Sequence, residues 1–247
     1  MVSVDASGMA TMIMSIQDAS GSPVDIGRDV LRRSYVGLQQ ILRSFYDALR
    51  PAYLHPDELL AVSFMEPQQG RISFTLHVQR GPAARQPAAL SPWRTHAVSP
   101  APTVRDAAER TAGAVIDLFE AYSFVLAARE VEWSSVSGGR SVDLRDPSTG
   151  RRLRIPAGVG WALVDGNLDA PMREVLLALD RSCVATVSLS PGDGAPRRQL
   201  QQVAVATDAA VAFVSGGELP AFRALDGAGE DPGGPRPGSK QAPTPGA

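Results

Sequence analysis

Apolar and polar positions along this chain mark its elements one after another. Residues 9–17, MATMIMSIQ, form an apolar run between Gly8 and the turn-rich DASGSP, which predicts a buried or half-buried strand. Ile26, Val30, Leu31, Leu38, Ile41, Leu42, Phe45 and Leu49 then recur at helical spacing, with Asp25 placed to cap the start and Pro51 to stop the end. Gly37 inside that helix costs about 1 kcal/mol against Ala, so close backbone packing is expected there. LLAVSFME and RISFTLHVQ flank PQQG and read as a hairpin. In its second strand Ile72, Phe74, Leu76 and Val78 alternate with polar residues. A second helix starts near Thr103 and Asp106 and buries Val104, Ala107, Ala108, Thr111, Val115, Leu118, Tyr122 and Val125. REVEWSSVS follows as a strand, with Val131 and Trp133 on one face and Glu130 and Glu132 on a solvated one.

This β-α-β-β-α-β order is that of the ferredoxin-like split βαβ fold. The expected fold class is therefore α+β, with a ferredoxin-like order over residues 1–136, interrupted by a proline-rich loop at 80–102. A β-rich extension with one short helix is expected over 137–215. It opens with a hairpin about PSTG, in which Val142 faces Ile155, Leu144 faces Leu153, Asp143 faces Arg154 and Arg145 faces Arg152. A loop to about residue 168, a helix APMREVLLALD capped by Asp169, strands CVATVSLS and QQVAVAT, and a helical turn started by Thr207 complete it. Gly and Pro crowd residues 216–247, which predicts a disordered tail.

Composition narrows the chemistry. Of 24 basic residues only Lys240 is a lysine, and it falls in that tail, which argues against a phosphate-binding P-loop, a kinase-type site and a Schiff-base enzyme. The arginine bias beside abundant Ala, Gly and Pro points to a GC-rich bacterial genome. A net charge of −2 confines any nucleic-acid binding to a local patch. The single cysteine, Cys183, opens an apolar strand and allows no internal disulfide, and His55, His77 and His96 are scattered, so no metal and no cofactor are expected. No apolar run approaches the length of a membrane span and no leader is evident, which makes the cytoplasm the expected location.

Asp165, Asn167 and Asp169 have calcium-loop spacing, but Ala170 and Leu176 stand where Gly and a carboxylate are needed, and a helix-starting turn explains the same residues. The serines of SSVSGGRS lack the nucleophile-elbow pattern. An RNA-stacking strand needs exposed aromatics, whereas Phe74 points inward. If residues 130–136 close the first sheet, the 80–102 loop, the start of the second helix and the turn after 136 share one edge. That edge would hold an anion with Arg85, Trp93, Arg94, His96, Thr103, Gly138, Gly139 and Arg140. The expected function is a non-enzymatic bacterial binding or interaction module with a protein partner. The alternatives are a binder of a nucleotide or nucleic acid through the arginine edge, and a hydrolase with a dispersed Ser/His/Asp site.

Overall fold

Two long helices form where the apolar stripes lie. In the computed structural model, which describes residues 10–18, 20, 22–49, 58–68, 71–80, 104–136, 139–177, 183–191, 198–199 and 207–225, the elements follow in chain order. They are β1 (Ala10–Asp18), α1 (Arg28–Leu49), β2 (Glu58–Gln68), β3 (Arg71–Arg80), α2 (Val104–Leu126), β4 (Glu130–Val136), β5 (Ser141–Arg145) and β6 (Arg152–Pro156). After them come α3 (Ala157–Val164), α4 (Asp169–Leu176), β7 (Cys183–Pro191), β8 (Arg198–Gln199), α5 (Thr207–Val214) and β9 (Ala221–Ala224). Leu38, Ile41, Leu42, Phe45 and Leu49 of α1 are buried, as are Ala107, Thr111, Val115, Leu118, Tyr122 and Val125 of α2. Thr111 among them donates its hydroxyl to the Ala107 carbonyl at 2.7 Å, so its burial leaves no bond unmade. α1 starts at Arg28, past the expected Asp25 cap, and the Leu31 N–H donates to the Gly27 carbonyl at 3.0 Å.

The chain is α+β, with two sheets. The first has order β2-β3-β1-β7-β8 and is antiparallel throughout. The place beside β1 that residues 130–136 were expected to fill is taken by β7, with Ile13 opposite Ser188 and Asp18 opposite Cys183. β4 instead lies in a second sheet of order β6-β5-β4-β9. The physical reason is that both its edges are taken there: one by β5 through a short hairpin, the other by β9, which runs parallel to it. The expected tail consequently begins too early, because residues 221–224 find a sheet edge to pair with. The β5–β6 register matches the alternation of the sequence pair for pair. The strand expected at QQVAVAT lies, apart from Thr207, outside the described residues.

The extension holds three short helices where one short helix and a closing helical turn were expected. α3 fills a stretch read as loop, and α5 starts at Thr207 as expected. Asp169 does not cap α4 from outside: the N-cap is Leu168, with no side-chain cap bond, and Asp169 is the first helical residue. α2 is the central element, touching β1, β3 and β7 of the first sheet and β6 and α3 of the second unit. α4 lies against α1 at Gly37, where an added Cβ would come within 2.4 Å of the Pro171 carbonyl oxygen. This is the close backbone packing that the glycine implied. Among the described residues no helix is long and apolar enough to cross a membrane.

Candidate functional site

Most of the expected anion edge, namely Arg85, Trp93, Arg94, His96, Thr103 and Gly138, lies outside the described residues. Gly139 occupies the turn before β5 with φ 81°, and Arg140 is exposed. The Arg140 carbonyl accepts the Ala157 N–H at 3.0 Å, which ties this turn to the start of α3. The topological premise that gathered those residues is corrected by β4, which belongs to the second sheet and not to the edge formed by β1 and β3.

The neighbouring arginines already have structural work. Arg154 grips Asp143 through Nε and Nη2 at 2.6 and 2.8 Å, and this bidentate bond lowers the Asp143 carboxyl below its ordinary range. Arg145 Nη1 lies 3.6 Å from Glu132 Oε2. Glu132, expected on a solvated face, is buried between in-register Arg145 and Arg223 on its two neighbouring strands. Arg151 stands over the Phe124 ring at 5.3 Å. At the hairpin turn Asp146 accepts from both the backbone N–H and hydroxyl of Ser148 and from the Thr149 hydroxyl, and these bonds lower its carboxyl to about 2.

A second polar cluster pins the short helices. The buried Tyr122 hydroxyl donates to Asp169 Oδ1 at 2.5 Å. Arg173, one turn along α4, donates from Nη2 to the Gly217 carbonyl at 2.9 Å and lies 4.7 Å over the Phe213 ring. Burial pushes the Asp169 carboxyl up, while the Tyr122 hydroxyl and the Arg173 charge hold it back. Burial likewise raises the Tyr122 hydroxyl well above its ordinary value, with the nearby Asp169 charge adding to the shift. These groups bond to one another across α2, α4 and α5, so they serve as a pin between elements. Among the described residues no group of three or more His, Cys, Asp or Glu is placed to hold a metal ion.

Open volume occurs elsewhere. A cavity of about 460 Å³ lies between the C-terminal end of α1, the middle of α2 and the β6–α3 junction. Phe45, Ala48 and Leu49 form one wall, and Glu109, Arg110, Gly113, Ala114 and Asp117 form the second. Pro156, Gly158 and Val159 form the third. Its origin is the small side chains at Ala48, Gly113, Ala114 and Gly158, which face one another where larger ones would interdigitate. Phe45, Leu49 and Val159 are buried, and among the described lining residues the charged groups come from α2.

None of these lining residues was singled out as a site from the sequence. The available signal was the Gly113–Ala114 pair on a helix face flanked by Glu109, Arg110 and Asp117, where a packing stripe would carry larger apolar groups. Comparison with family models, curated proteins and solved structures found no match.

Proposed function

We propose that this chain is a non-enzymatic binding module whose ligand is a small, largely apolar molecule held between α1, α2 and α3. The observation that carries this reading is the 460 Å³ cavity. Its size falls within the range of small-molecule sites, it is walled mainly by apolar side chains, and it carries a few polar groups on one side. Binding is favoured over catalysis because the described lining residues include no serine, threonine, cysteine or histidine. Its acids and its arginine supply charge and hydrogen bonds without a nucleophile beside them.

The same reading treats the first sheet with α1 and α2 as a ferredoxin-like split βαβ unit. Its closing strand is β7, and residues 130–176 are inserted ahead of that strand. The antiparallel order β2-β3-β1-β7 supports this. We further assign the protein to a bacterial cytoplasm, on its arginine-biased composition and single cysteine.

The test is a titration of the full chain with Nile red, a neutral dye that brightens in apolar surroundings. We expect saturable binding of one dye per chain and its loss in Ala114→Trp, which fills the cavity, with an unchanged circular dichroism spectrum. Equal binding by the folded Ala114→Trp chain would refute the site.

A further inference from the structure

The side of β4 away from β5 carries a second surface, independent of the cavity. β9 alone covers it, at the edge of the second sheet. The cover is slight, since β9 pairs through four residues and three of them are exposed. Phe222 lies opposite Val131 and is half-buried against the core, and the Leu225 N–H donates to the Trp133 carbonyl at 2.9 Å. The outward side chains of the two strands match less well. Glu130 is exposed and stands opposite Ala221, which offers neither charge nor donor. Glu132 stands opposite Arg223, yet the two form no ion pair, and Glu132 Oε2 is buried without a hydrogen-bond partner. Its 3.6 Å approach to Arg145 Nη1 is beyond hydrogen-bond reach. A buried carboxylate oxygen in this state costs free energy. β9 thus serves the backbone and the apolar face of β4 and leaves the acidic face unanswered. Lifting it need not disturb α5, which is anchored by buried Phe213 and by the Arg173 bond to the Gly217 carbonyl, both ahead of the strand.

We propose that β4 accepts an extended segment of a partner protein in place of β9, with basic residues facing Glu130 and Glu132 and an apolar residue between them facing Val131. Strand addition of this kind draws affinity from main-chain hydrogen bonds and selectivity from alternate side chains. Opposite charges directly across adjacent strands attract, and long side chains also reach the diagonal position. A guanidinium facing Glu130 is therefore within reach of the Glu132 oxygen that Arg223 does not engage. β9 is the internal occupant that the partner displaces.

Fluorescence polarisation on the full chain tests this with labelled octapeptides built on residues 218–225: the native ELPAFRAL, ELPRFRAL with Arg facing Glu130, and ELPEFEAL with acids facing both carboxylates. ELPRFRAL is expected to bind about fivefold more tightly than ELPAFRAL, and ELPEFEAL weakest. Glu130→Gln with Glu132→Gln removes the differences among the three. The Arg223 N–H lies two residues before that of Leu225 and so faces β4 as well. Arg223→Pro takes it away, lifts β9 and tightens ELPRFRAL binding by about tenfold or more. Amide exchange in the unaltered chain keeps the proposal testable if that variant does not fold: β9 amides are expected to exchange at least about tenfold faster than those of β5. Equal exchange of β5 and β9, absence of peptide binding, no preference among the peptides, or a preference for ELPEFEAL overturns the proposal. A dimer of the unaltered chain that Arg223→Pro abolishes overturns it too, because the occupant is then the β9 of a second copy. None of these outcomes bears on Nile red binding, so failure here leaves the cavity reading standing.

Discussion

Gly37→Ala probes the packing that positions α1, and through it one wall of the cavity. In an exposed helix this change stabilises by about 1 kcal/mol, because Ala restricts the unfolded chain and favours helix. Here the new Cβ would lie 2.4 Å from the Pro171 carbonyl oxygen, 2.9 Å from Glu174 Cβ and 3.1 Å from Val175 Cγ2. The nearest of these is backbone, so relief requires α4 to move as a body. That movement also strains the Ser34 hydroxyl bond to the Glu174 carbonyl at 3.1 Å and the Arg33–Glu174 ion pair at 2.6 and 2.8 Å. Overpacking of this kind costs about 1–3 kcal/mol and the lost hydrogen bond about 1 kcal/mol more. Set against the helical gain, the net expectation is destabilisation of about 1–3 kcal/mol. Urea unfolding followed by circular dichroism should therefore show a lower midpoint, by roughly 0.5–1.5 M at a slope near 2 kcal/mol/M. Gly27→Ala is the control: its Cβ would meet nothing within 4 Å, and its stability should stay close to that of the unaltered chain. A Gly37→Ala chain as stable as the unaltered one, or more so, would refute the α1–α4 contact.

Gly160→Ala brings a Cβ within 2.5 Å of Val142 Cβ and should destabilise by about 1–3 kcal/mol. Adding Val142→Ala removes the contacts with Cγ2 at 2.6 Å and Cγ1 at 3.1 Å and leaves the one with Cβ, so it should then cost less than it does alone, and strict additivity in the double-mutant cycle would contradict the contact. The Asp146 carboxyl, lowered from 3.8 to about 2 by the Ser148 and Thr149 bonds, should titrate near pH 2 by NMR. Because its folded value is depressed, the stability it contributes is complete above its ordinary value and is lost as the pH falls from there through about 2. A midpoint at the ordinary value would contradict the turn geometry. Asp169 has the opposite sign: its carboxyl is raised by burial, so its contribution is complete below the ordinary value and is lost as the pH rises through the folded one. Tyr122→Phe, which removes the donor to that carboxylate, should destabilise by about 2 kcal/mol at neutral pH and by less in acid, measured by urea unfolding. A deficit that does not change with pH would mean that Tyr122 acts through packing alone.

What could be read in advance was local. Alternation of Val142 and Leu144 against Leu153 and Ile155 determines a hairpin register, because a slip by one residue would expose every apolar group, and that register is the one found. The stripes of α1 and α2 were equally readable, since a helix that buries one face declares its period. Strand partnership was not: β4 and β7 are both short strands in which apolar and polar residues mix, and only long-range contacts decide which lies beside β1. α3 escaped notice because AGVGWALV is apolar on most sides, carries two glycines and starts after Pro156 with no capping side chain. β9 escaped because Gly and Pro dominate the chain around it, while pairing with β4 depends on a sheet edge formed far away in sequence. The cavity was the least visible feature, because it exists only where small residues from α1, α2 and α3 meet.

The most direct test of the binding site is an amide NMR titration of the full chain with phenylbutanol, a small uncharged molecule with an apolar body. The largest shifts are predicted at Ala48, Leu49, Gly113, Ala114, Gly158 and Val159, the three walls of the cavity. Shifts concentrated on the second sheet, or no saturable shifts at all, would contradict the claim that this cavity is where the protein binds its ligand.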